Sequence, residues 1–168
     1  GIEGCVAARR AAEVEQLFLV LHWAALHSSD PGLDPGRRPP GSDRLGFLGG
    51  DGTPGVRELA ICELAVALQV HPLPARSVSA DALDLAHRLP RVLERVAALE
   101  AEVWVARKVA SMTRDLPFEV MHLIDEAVAE AIGAQAPSRV FEIAEAKKLE
   151  VDRAAVEERQ AVERRKRF

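Results

Sequence analysis

The sequence predicts an all-α fold, a single helical domain of about seven helices with one long Gly/Pro-rich loop. Three observations carry that reading. Apolar residues recur at three- and four-residue steps along most of the chain, the period of a helix with one buried face. No stretch alternates apolar and polar residues as a half-buried strand does, and no segment repeats at a period of 20 to 50 residues. Gly and Pro are gathered into one stretch: Ser28 to Gly55 holds eight Gly and five Pro. With 168 residues, 48% of them apolar, the chain is long enough for one core, and five Phe, two Trp and no Tyr mean that Ala, Leu and Val build it.

The elements follow in order. Val14, Leu17, Phe18, Leu21, Ala24 and Ala25 mark a long first helix from about Ile2 to Ser28. The Gly/Pro-rich stretch sustains neither a helix nor a ladder, so residues 29–53 read as a mobile loop, with Leu45, Phe47 and Leu48 available to dock its end. Thr53 and Pro54 read as N-cap and first residue of a second helix, with Leu59, Ala60, Leu64, Ala67 and Leu68 on one face and an end near Gln69. Pro72 and Pro74 open a third helix, Pro90 bounds it, and a short fourth runs to about Ala98. Residues 100–114 are apolar on more than one side, which predicts the most buried helix, with Trp104 in the core. A sixth helix spans about Pro117 to Ile132, with Gly133 as its stop. The last, extended helix covers 138–168; its charged distal half needs a neighbour to stay helical.

Cys5 and Cys62 are far apart, each within a helical pattern, so they read as buried small hydrophobes rather than a disulfide or zinc pair. No apolar run approaches the roughly 20 residues that span a bilayer, and no basic-then-apolar leader opens the chain. The expectation is a cytoplasmic protein without a membrane partner. Because the first residue is not Met, the chain reads as a piece of something longer. The net charge is −4 but uneven: residues 115–137 carry five carboxylates and no Lys or Arg, while 91–114 and 138–168 are each +2.

Several motifs invite chemistry. The second and third helices have helix-turn-helix spacing, yet Gln69 stands where such turns favour Gly, and Asp81 and Asp84 would repel phosphates on the second of them. Arg107, Lys108 and Arg114 fall at helical spacing, and Arg164, Arg165, Lys166 and Arg167 are consecutive; these seven are the candidate DNA-binding residues. For the tail, a solvated helix end complementing the C-terminal dipole accounts for the same cations. The run GGDGT resembles an anion nest, without the following Lys of a phosphate-binding loop. Glu119 and His122 make one Glu-x-x-His pair where a di-iron site needs two, and His22 and His27 are spaced for no zinc motif. No catalytic, cofactor-binding or metal-binding set is recognised.

The stretch from Gly49 to Pro90, GGDGTPGVRELAICELAVALQVHPLPARSVSADALDLAHRLP, resembles the family called domain of unknown function 222. HWAALH at His22–His27, VWVARKVA at Val103–Ala110 and the ending ERRKRF extend the resemblance over most of the chain. That family is common in high-GC Gram-positive bacteria, where it typically precedes an HNH endonuclease domain. The resemblance implies a helical region of a nuclease-associated protein. The ββα HNH unit itself is not readable after Pro137, so this chain is not expected to be an enzyme. The expected function is a non-catalytic accessory module that positions an HNH endonuclease-like protein on DNA, by weak non-specific contacts, or holds it in an assembly through a C-terminal nuclease domain or self-association. The alternative is a protein-interaction or dimerisation module without nucleic-acid contact.

Overall fold

A computed structural model describes residues 1–29, 35–37 and 39–168. Among these residues there are seven α-helices, two single-turn 3-10 helices at Pro35–Arg37 and Phe118–Val120, and one two-stranded antiparallel bridge. The chain is mostly helical, as expected. Among the described residues no helix is long and apolar enough to cross a membrane.

Helix α1 (Ile2–Leu26) buries Val14, Leu17, Val20 and Ala24, all from its second half. Its apolar period is the expected one, but Phe18 faces outward, 42% exposed. The His27 N–H closes the helix by donating to the carbonyls of Trp23 and Ala24.

Of the loop expected to be mobile across 29–53, residues 30–34 and 38 lie outside the described residues. From Asp43 onward the expectation of no ladder is overturned. Strand β1 (Leu45–Gly46) pairs with β2 (Val56–Arg57), Leu45 facing Arg57 and Gly46 facing Val56. The Asp43 carboxylate fastens this hairpin, accepting from Arg57 Nε at 2.8 Å and from the Leu59 N–H at 3.1 Å. Leu48 and Val56 enter the core, while Phe47 stays exposed. Thr53 is therefore no helix cap: its Oγ1 donates to the Gly50 carbonyl at 2.7 Å, and helix α2 (Ala60–Leu68) begins seven residues later. Composition missed the hairpin because two paired residues per strand leave no period to detect.

Helix α2 ends at Gln69, which takes the left-handed conformation (φ 56°) that its turn demands. The Val70 N–H then reaches back to the Ala65 carbonyl at 3.0 Å, satisfying a carbonyl the helix end would otherwise leave open. Helix α3 (Pro72–Arg88) follows, with Pro72 and Pro74 in its first turn where a missing N–H costs nothing. It is the central element, touching α1, α2, α5, and the later helices α4 (Pro90–Ala97) and α6 (Met121–Ala131). Ala75, Ser79, Ala80, Ala82, Leu83 and Leu85 are buried around nearly its whole circumference. This corrects the expectation for α5 (Val103–Met112), which buries Val103, Val105, Ala106, Val109 and Ala110 but leaves Trp104 52% exposed. Large apolar side chains marked α5; small ones let the other helices close on α3.

The buried Asp125 of α6 caps α4, accepting from the Arg91 and Val92 N–H groups at 3.0 Å each. Gly133 stops α6 with φ +84°, and a side chain there would collide with the Glu100 carbonyl. Helix α7 (Pro137–Lys166) packs on α5 and α6 through Val140, Ala144 and Val151. Cys5 and Cys62 are both exposed, a further correction: each sits on the outward side of its helix.

Candidate nucleic-acid interface

The structure divides the expected basic cluster of α5. Arg107 and Arg114 turn inward to two carboxylates of α3 that sequence reading had set against phosphate binding on their own helix. Arg107 Nε lies 2.8 Å from Asp81 Oδ2, and Arg114 bridges both acids, with Nη2 at 2.5 Å from Asp81 Oδ1 and Nε at 2.7 Å from Asp84 Oδ2. Burial pulls the Arg114 guanidinium down, but the hydrogen bonds and charges of Asp84 and Asp81 outweigh it and hold it above its ordinary value. Each positive charge thus has a fixed negative partner, and phosphate would have to displace it.

Lys108 goes elsewhere, with its ammonium 4.2 Å from the centroid of the Phe141 ring on α7. Trp104 meets the same ring edge-on, centroids 6.0 Å apart at 61°. The three cations, Arg107 and Lys108 on α5 and Arg114 in the turn after it, are consequently on two separate sites, neither an open row of charge.

Asp84 is also the anion that fills the GGDGT turn. The Gly50 N–H donates to its Oδ1 at 2.7 Å, so the donor that could have met a phosphate meets the protein's own carboxylate. Beside it Arg88 is fully buried, donating from Nη1 to the Asp51 carbonyl at 2.6 Å and from Nη2 to the Thr113 and Leu116 carbonyls at 2.8 Å each. Among the described residues its Nε has no hydrogen-bond partner; it lies 3.7 Å from Asp84 Oδ1. Burial lowers the Arg88 guanidinium, against the pull of Asp84. A Cβ on Gly50 would come within 2.6 Å of the Arg114 carbonyl and 2.7 Å of Arg88 Cζ, so only Gly fits between these two arginines.

Asp81, Asp84 and Arg88 form the element that sequence reading missed. The signal was present: steps of three and four residues place them on one side of a helix where their neighbours Ala80, Ala82, Leu83 and Leu85 are apolar. A polar stripe on a buried helix needs partners, which come from Arg107 of α5 and from the segments around Gly50 and Arg114.

Arg164, Arg165, Lys166 and Arg167 lie at the far end of α7, all exposed. Among the described residues none of the four is in an ion pair. Helix α7 leaves the body after Lys148, whose Nζ donates to the Met112 carbonyl and pairs with Asp115, both at 3.0 Å, and after Val151. From Asp152 to Phe168 no residue is buried. Glu119 and His122 meet only through the His122 ring and the Glu119 carbonyl, 2.9 Å apart. Among the described residues no three His, Cys, Asp or Glu side chains are placed to hold a metal ion together.

Comparison with protein-family models, curated proteins and solved structures gives no match.

Proposed function

We propose that this chain is a non-catalytic accessory module of an HNH endonuclease-like protein and acts by holding that protein in an assembly, with α7 as the joining element. One observation carries the assembly role: α7 remains a single helix to Lys166 although none of its residues beyond Val151 is buried among the described residues. A solvated helix of about 15 residues is marginal by itself, so a surface that recurs along it calls for a partner. The nuclease association rests on the resemblance of Gly49–Pro90. The non-catalytic reading is supported by the α3 carboxylates, which are engaged by Arg107, Arg114 and a backbone N–H rather than presented to a substrate.

DNA positioning is the second reading, favoured by the four exposed cations of the tail. Amide exchange across residues 152–166, compared between this chain alone and the native full-length protein, tests the assembly role. Protection in the native protein is expected; fast exchange in both would sink it.

A further inference from the structure

We propose that the partner of distal α7 is a second copy of α7, lying antiparallel across a dyad between Glu158 and Arg159. This rests on the assembly reading above and names its occupant.

The first support is a continuing apolar stripe. Val140, Ala144 and Val151 turn into the body, and the same spacing of four and seven residues continues beyond it as Ala155 and Val162. A recurrence every eleven residues stays on one face of a nearly straight helix. Val162 is 43% exposed and Ala155 half-buried, and among the described residues the stripe has no fully buried member beyond Val151. About the proposed dyad Ala155 of one copy sits opposite Val162 of the other.

The second support is charge order along the same stretch. Residues 150–158 carry Glu150, Asp152, Glu157 and Glu158 against Arg153, a net −3. Residues 159–167 carry Arg159, Arg164, Arg165, Lys166 and Arg167 against Glu163, a net +4. A parallel pair would set like charge against like. An antiparallel pair about the midpoint sets the −3 segment of each copy against the +4 segment of the other, twice, and so selects both partner and direction.

The test is sedimentation equilibrium of the whole chain, of Glu157→Lys with Glu158→Lys, of Arg164→Glu with Arg165→Glu, and of the two variants mixed. All four positions are exposed, and circular dichroism of each variant checks that the fold is kept. The wild type should dimerise and weaken as salt is raised. Each variant alone should show a dissociation constant at least about tenfold higher, and the equimolar mixture, which regains one of the two opposite-charge pairings, should associate more tightly than either variant alone. A monomeric wild type at low salt overturns the proposal, and so does a mixture that associates no more tightly than the variants by themselves. Protection of residues 152–166 in the native full-length protein would leave the assembly reading standing in either case.

Discussion

Asp84 accepts from Arg114 Nε at 2.7 Å with its carboxylate 1% exposed and the arginine side chain 30% exposed, so a charge that reaches solvent is anchored by one that does not. The asymmetry separates Arg114 from Arg107, whose partner Asp81 is 8% exposed and keeps a second arginine.

Arg114→Ala should therefore cost about 3 to 5 kcal/mol, because it strips a buried carboxylate of its principal cation. Arg107→Ala should cost about 1 kcal/mol or less, being a partly exposed pair with a remaining partner. Urea unfolding midpoints of the two variants check the order; equal losses would mean that burial of Asp84 is not what sets the scale.

Trp104→Ala should cost about 1 to 2 kcal/mol, from the edge-on contact with Phe141 and the partial burial of a residue that is 52% exposed. A core tryptophan would cost about 3 to 5 kcal/mol. Thermal or urea unfolding distinguishes the two, and the larger value would return Trp104 to the core that its apolar neighbours suggested.

Stability should fall in acid through Glu102. Hydrogen bonds from Arg10, on α1, hold its carboxyl below the ordinary 4.5, outweighing the opposing effect of burial. A depressed carboxylate contributes stability that is complete above the unfolded value of 4.5 and disappears as pH falls through the folded one. Glu102→Gln should flatten the loss of stability below about pH 4.5. Unfolding midpoints followed from neutral pH into acid measure it, and an unchanged acid limb would exclude the Arg10–Glu102 link.

Phosphate contact, if the second reading holds, falls to the tail. Changing Arg164, Arg165, Lys166 and Arg167 to Ala should lower the slope of log affinity against log salt by up to about 3 to 4, whereas changing Arg107 and Arg114 should leave it as it is. Binding should be no tighter than about 10⁻⁴ to 10⁻⁶ M. A salt titration on one duplex decides; a slope that follows Arg107 and Arg114 would mean that Asp81 and Asp84 give up their partners to DNA.

The helices were legible because periodicity and punctuation agreed: Pro72, Pro90 and Gly133 stand where the structure starts or stops an element. The hairpin at Leu45–Gly46 was not, since it is held by Asp43 reaching Arg57 and Leu59, contacts that leave no trace in a local pattern. The same limit affected the site. Spacing placed Arg107, Lys108 and Arg114 near one another on one expected helix, but α5 ends before Arg114, and which way each turns depends on what lies opposite: Asp81, Asp84 and Phe141 come from other helices. Outward Trp104 and buried Asp84 reverse the usual preferences of their residue types for the same reason.

The guanidinium of Arg88 draws on carbonyls 37 positions before it and 25 and 28 positions after it. These acceptors belong to separate connecting segments, so the charge can leave water only when both have arrived beside α3. With one segment docked and the other away, the cation either stays in water and keeps the packing around α3 open, or is buried with acceptors missing. Arg88 thereby ties the two segments to each other, so that neither reaches its full burial against α3 without the other.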